Sequence, residues 1–134
     1  MSLITWSEDL SVNIPSIDAQ HKKLVELVNR LHDATIAHEG DQSKKKILDE
    51  LIDYTKTHFA NEEKLMSTHQ YPAFSTHKKE HDRLTRQVMF IYRNFTAGQP
   101  VLTVTFMNFL KDWIADHIKG SDKKYGPYLA NKGV

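Results

Sequence analysis

At 134 residues, 40% hydrophobic and 26% charged, with a formal net charge of +1, the chain can build one real core and has no electrostatic reason to seek nucleic acid or an anionic membrane. It has no cysteine, which excludes disulfides, iron–sulfur clusters and thiolate zinc sites, so any metal must be held by imidazole and carboxylate. No run is long enough to span a bilayer, and the start MSLITWSEDLSVNIP has no basic leader or long apolar run; the expectation is a single cytoplasmic domain over residues 1–134, with the sequon Asn94-Phe95-Thr96 read as chance.

Residues 1–15 lack helical period and end at Pro15, so they read as an extended arm with Trp6 packed on the body. Ser16 is the expected N-cap of the first helix, with Asp18 in its first turn. That helix is predicted over about 17–38, on an apolar stripe of Leu24, Val25, Val28 and Leu31 that also takes in His21. Gly40-Asp41 closes it. A second helix, about 43–66, turns Ile47, Leu51, Tyr54 and Leu65 inward, and His58 and Glu62 fall on that same side. The Tyr71-Pro72 step separates it from a third helix over about 72–96. The inner positions there are His77, His81, Leu84, Val88, Ile91 and Phe95, a heptad-like seam whose first two members are histidines. A fourth helix follows Pro100, about 101–119, with Phe106, Leu110, Trp113, Ile114 and His117 inward. Gly120 is expected to break it, and the tail 120–134, with Gly126-Pro127, to fold back irregularly. Four long helical patterns with short connections predict an all-α, up-down-up-down antiparallel four-helix bundle carrying an extended N-terminal arm. Each helix would be ~30 Å long.

Five histidines and a glutamate thus sit on faces that ought to be apolar. A single inward histidine is ordinarily a core residue with a hydrogen-bond partner. Glu62 is different, because a buried unpaired carboxylate is costly, and a cluster of buried imidazoles lacks acceptors for its N–H groups. Metal ions resolve both problems, accepting imidazole lone pairs and neutralising the carboxylate. The stretch HFANEEKLMSTHQYPAFSTHKKEH, residues 58–81, carries two pairs four residues apart, His58/Glu62 and His77/His81, and each pair shares a helix face. Asp122 lies five residues after His117, the wrong spacing for one continuous helix face, but a chain that turns at Gly120 could bring it back as a second bridge. Five imidazoles, two bridging carboxylates and one bridging oxygen fill all but one position around two octahedral ions. Such a donor set suits iron, manganese, zinc or copper, and its low charge favours redox-capable ions over magnesium or calcium.

Two competing patterns are weaker. His77-Lys78-Lys79-Glu80-His81 fits the H-x-x-E-H of certain zinc peptidases, but three further histidines join it, and Lys78, Lys79 and Glu80 read as a solvated face. A ferritin-like di-iron oxidase needs Glu-x-x-His pairs, and the chain has none. His32 reads as a core or boundary residue, and His38 and His69 as exposed residues near helix ends.

The set His21, His58-x-x-x-Glu62, His77-x-x-x-His81 and His117-x-x-x-x-Asp122 resembles the hemerythrins, in particular single-domain bacteriohemerythrins. The likeness spans nearly the whole chain, including the Trp6 arm, the DAQH lead into His21 and the DW-x-x-x-H run before Asp122. It implies two non-haem iron ions, bridged by Glu62, Asp122 and a solvent-derived oxygen. By that likeness His77, His81 and His117 cap one iron, and His21 and His58 cap the other, where O2 enters the vacant position. Leu24, Phe59, Trp113, Ile114 and Ile118, each close in sequence to a ligand, would wall that position against water. Tyr125 would supply a hydrogen bond from behind the ligands. The expected function is an oxygen carrier, store or supply protein and not an enzyme. It is expected to be monomeric and to take O2 and other small ligands, such as azide-like anions or nitric oxide. The alternatives are a di-iron enzyme reducing peroxide or nitric oxide, and a module sensing O2, redox state or iron.

Overall fold

The structure is a computed structural model and describes residues 2–134. Helices α1 (Pro15–Ile36), α2 (Asp41–Thr68), α3 (Phe74–Thr96) and α4 (Val104–His117) form the expected four-helix bundle, and no strand occurs among the described residues. No described helix is long and apolar enough to cross a membrane.

The arm is tied down by specific partners. Ile4, Leu10, Val12 and Ile14 are buried. The backbone of Ile4 both donates to and accepts from the Asn29 side chain, at 2.9 Å each way. The Lys22 ammonium lies 5.3 Å from the Trp6 ring centroid, a cation–π distance. Ser16 is not the cap expected for α1. The helix starts two residues earlier, with Pro15 at its first position and Ile14 as an N-cap without a side-chain hydrogen bond. Pro costs nothing there because that N–H would be unpaired anyway. Asp18 instead holds the arm, accepting from the Ser11 hydroxyl at 2.6 Å and the Val12 N–H at 2.9 Å.

The helix ends also differ from expectation in their chemistry. α1 is closed by His38, in the left-handed region at φ 53°, before Gly40 is reached. The Glu39 N–H then bonds back to the Ala34 carbonyl at 3.0 Å, a Schellman-type closure. α2 ends the same way at Gln70, φ 54°, with the Tyr71 N–H on the Met66 carbonyl at 2.8 Å. α4 begins at Val104, three residues later than expected, because the Thr103 hydroxyl accepts from the Phe106 N–H at 3.1 Å. This is a true N-cap.

The tail is a correction. Gly120 does not break the helix. The chain runs on through a π-helical turn, Ile118–Asp122, into a short helix α5, Lys123–Ala130, with Pro127 inside it. Tyr125 and Leu129 in α5 are fully buried. Burial of a large apolar side chain stabilises by about 1.5–3 kcal/mol, so the two together offset the roughly 1 and 3 kcal/mol that Gly and Pro cost a helix. The lack of a side chain at Gly126 is used directly: a Cβ there would sit 2.7 Å from the Val12 carbonyl oxygen of the arm.

The bundle is thereby divided into two chemically unlike layers. Leu31, Leu48 and Met107 are wholly buried. Each lies ten residues from a polar buried residue on its own helix, His21, His58 and His117. Ten helical residues span about 15 Å.

Candidate metal centre

Each helix delivers its polar residues at one end of the bundle. His21 stands in the second turn of α1, His58 and Glu62 in the second half of α2, and His77 and His81 in the opening turns of α3. His117 is the last residue of α4 and Asp122 the last of the π turn. All seven are buried, none more than 5% exposed. The π turn resolves the awkward spacing of the last two. Its backbone bonds run from residue i to i+5 in place of i+4, so residues five apart come into register. His117 Nε2 and Asp122 Oδ1 are 3.0 Å apart as a result. The expected break at Gly120 is replaced by a widened but continuous helix.

The donor atoms fall into two groups that share Glu62. One holds His77, His81 and His117 with Glu62 and Asp122, and the other His21 and His58 with Glu62. Within each group the ligating atoms lie within 4.8 Å of one another. Asp122 also spans the two sides. Its Oδ1 is 2.9 Å from His77 Nε2, and its Oδ2 is 3.0 Å from His21 Nε2. Glu62 Oε1 stands 3.1 Å from His58 Nε2 and 3.4 Å from His81 Nε2.

The outer nitrogens decide what the inner ones can do. His58 Nδ1–H donates to the Gln20 side-chain oxygen at 2.6 Å, His81 Nδ1–H to Glu63 at 2.9 Å, and His117 Nδ1–H to Glu80 at 3.2 Å. A neutral imidazole with a proton on Nδ1 has only a lone pair on Nε2. The Nε2 atoms of His81 and His117 are nevertheless 3.2 Å apart, so two lone pairs face each other. Nearby, Glu62 Oε1, His77 Nε2, Asp122 Oδ1 and both nitrogens of His21 are buried without a hydrogen-bond partner. Crowded acceptors of this kind are costly unless a cation lies among them. The donor set therefore fits a pair of metal ions.

Without a metal, protons must play that part. Burial works against a charge on His21, but the Asp122 and Glu62 carboxylates, 3.0 and 3.6 Å from its Nε2, overcome it and raise its pKa to about 9. His117 is raised for the same reason, burial again being outweighed by Asp122 and Glu62. Burial likewise opposes ionisation of Glu62 and Asp122, yet the surrounding imidazoles hold both below the ordinary carboxylate range.

The surroundings are apolar on one side and hydrogen-bonded on the other. The Phe59 ring stacks flat on His81, centroids 3.7 Å apart, and Trp113 stacks on His117 at 4.4 Å. Phe59 and Trp113 also line an apolar cavity of about 50 Å³, together with Leu24 and Ile114. Ile118, expected among them, is buried but does not line this cavity. On the other side, the Tyr125 hydroxyl donates to Glu62 Oε2. Buried beneath both carboxylates, this phenol is pushed up and stays protonated.

Sequence reasoning missed the residues behind the histidines. Glu80, read as part of a solvated face, accepts from His117 and from the Ser121 hydroxyl at 2.8 Å. Burial works against its charge, and those two hydrogen bonds overcome it and lower its pKa. Glu63 and Gln20 carry no signal in the sequence beyond adjacency, since each stands next in the chain to a ligand. His32 is buried away from the cluster. His69 is half-buried, and its carbonyl accepts from the Tyr128 hydroxyl at 2.5 Å.

Known proteins are similar to this chain in sequence and in fold. The family profile described as "Hemerythrin HHE cation binding domain" matches residues 12–129. A bacteriohemerythrin of Methylococcus capsulatus is 39% identical over 132 residues, covering 97% of this chain and 99% of that protein. A hemerythrin-like protein of Naegleria gruberi is 31% identical over 124 residues, covering 92% of each. A wild-type hemerythrin crystal structure superposes with a TM-score of 0.92 at 37% identity, covering 96% of this chain and 99% of that one.

Proposed function

The chain belongs to the hemerythrin family, and on that premise we propose that it binds O2 reversibly at a non-haem di-iron centre, as a carrier, store or supply protein. One observation carries the reading: seven buried ligand-type side chains from all four helices and the π turn fall into a three-histidine group and a two-histidine group joined by carboxylates. His77, His81 and His117 would hold one iron, His21 and His58 the other, with Glu62 and Asp122 between them. The two-histidine side, being one donor short, is where a small ligand would enter. When bound, a ferrous pair supplies the electrons and Lewis acidity that O2 binding requires.

The protein's own residues serve that role in three ways. Gln20, Glu63 and Glu80 hold the proton of His58, His81 and His117 on Nδ1, so each Nε2 lone pair points inward. Tyr125 holds the Glu62 carboxylate from outside the ligand cluster. Leu24, Phe59, Trp113 and Ile114 face the cavity with carbon, admitting an apolar diatomic molecule and disfavouring water and protons. Nothing in this surround offers a polar cleft to an organic substrate, which favours binding over turnover.

The test is metal content per chain after anaerobic ferrous reconstitution, taken with the visible spectrum under nitrogen and then under air. Two iron equivalents and a spectrum that changes on aeration and returns under nitrogen are expected. Fewer than two equivalents, or a change that never reverses, would defeat the reading.

A further inference from the structure

The two histidine groups differ in what stands behind them. On the three-histidine side, two of the outer N–H groups donate to carboxylates, Glu63 behind His81 and Glu80 behind His117. Glu80 is itself held by the Ser121 hydroxyl, with contacts of 2.8 and 3.0 Å to its two oxygens. On the two-histidine side the only outer partner among the described residues is a neutral amide, Gln20 behind His58. His21 Nδ1 has no partner among them.

A carboxylate accepting from one imidazole nitrogen pushes electron density to the other and makes it a stronger donor; it also fixes the ring's orientation. An amide oxygen does the second job but carries no charge for the first. We infer that Glu63 and Glu80 are positioning residues that set unequal affinities, so that the three-histidine position holds its metal tightly and the two-histidine position holds its metal loosely and surrenders it first. This rests on the di-iron reading and goes beyond it, since that reading alone says nothing about the order of loss. A weakly backed ligand pair also suits a position that must accept and release a further ligand.

The experiment uses the loaded, reduced protein, titrated anaerobically with a competing ferrous chelator, with retained iron counted per chain. The wild type should lose iron in two resolved steps, with one equivalent left between them. Glu63→Gln and Glu80→Gln each keep an acceptor oxygen and remove the charge. Each should move the second step to a chelator concentration about tenfold lower or more, with the first step in place. Gln20→Glu should do the opposite, moving the first step upward by a similar factor and narrowing the gap. A merely structural role for the glutamates would move both steps together, and that result would overturn the inference. So would a single wild-type step, or glutamine variants that leave the second step where it was. Gln20→Glu strengthens a site and so remains informative if either glutamine variant folds poorly. A wild type holding fewer than two equivalents before any chelator is added would instead refute the di-iron reading, and this inference would fall with it.

Discussion

Leu31, Leu48 and Met107 fill one layer of the bundle, and His21, His58 and His117 occupy another, ten residues away on the same three helices. In the first layer each side chain is satisfied by its neighbours, because apolar atoms need only contact. In the second, acceptors face acceptors: His81 and His117 Nε2 meet at 3.2 Å, and Glu62 Oε1 and Asp122 Oδ1 have no donor. The apolar layer is complete when the chain has folded. The polar layer is complete only when something cationic joins it. The helices are continuous through both, so one layer can hold the other in place while it waits.

Removing the metal should expose this difference most strongly. A ligand present at a thousandfold its Kd stabilises by about 4 kcal/mol, so stripping two ions should cost roughly 8 kcal/mol. The loss should be concentrated at the ligand end. Amide hydrogen exchange should quicken around His77, His117 and Asp122 much more than around Leu31 and Leu48. Equal quickening in both layers would show that they are not independent. Leu31→Ala attacks the other layer. It should cost about 2–5 kcal/mol in denaturant unfolding while iron per chain stays unchanged.

The metal-free protein should also respond to pH at one end only. His21 is raised from 6.5 to about 9, so its contribution is full below pH 6.5 and lost as pH rises toward 9. That loss amounts to about 3 kcal/mol at most. Asp122 is lowered from 3.8, so its contribution is full above pH 3.8 and fades as pH falls below it. Melting temperature should therefore be greatest between those limits and decline on both sides. Loading with metal should abolish the alkaline decline, because the ion replaces the proton on His21. The smallest effect belongs to Tyr125→Phe, which leaves packing intact and removes one hydrogen bond to a charged group. It should cost about 1.5–3 kcal/mol, and a shift in the visible spectrum of the loaded protein should accompany it.

The same division explains what was legible in the sequence. Helices show themselves through apolar period, and the ligands through violation of it: His77 and His81 head a seam that Leu84 and Phe95 continue. Glu63 and Glu80 violated nothing. They are charged residues flanking buried ones, as solvated residues also are, and only the fold reveals that they point at imidazoles. Ser16 had the chemistry of a cap, but Pro15 took the first helical position before it. His38 and Gln70 close helices in a conformation that favours glycine, so composition pointed elsewhere. Gly120 misled most. A glycine near the end of a helical pattern ordinarily ends it, and no residue type marks a π turn.

That turn ties the ligand set to the number of residues as well as to their kinds. An α-helix advances about 100° per residue, and the widened turn at Ile118–Asp122 accommodates one more residue than a regular turn would. A single-codon deletion there, even of Gly120, whose side-chain position faces open space, would let the helix relax to regular pitch. Everything downstream would swing by about that angle, carrying the Asp122 carboxylate and the Tyr125 hydroxyl off the axis of the cluster. Lineages could therefore substitute freely at such a position while being unable to lose it.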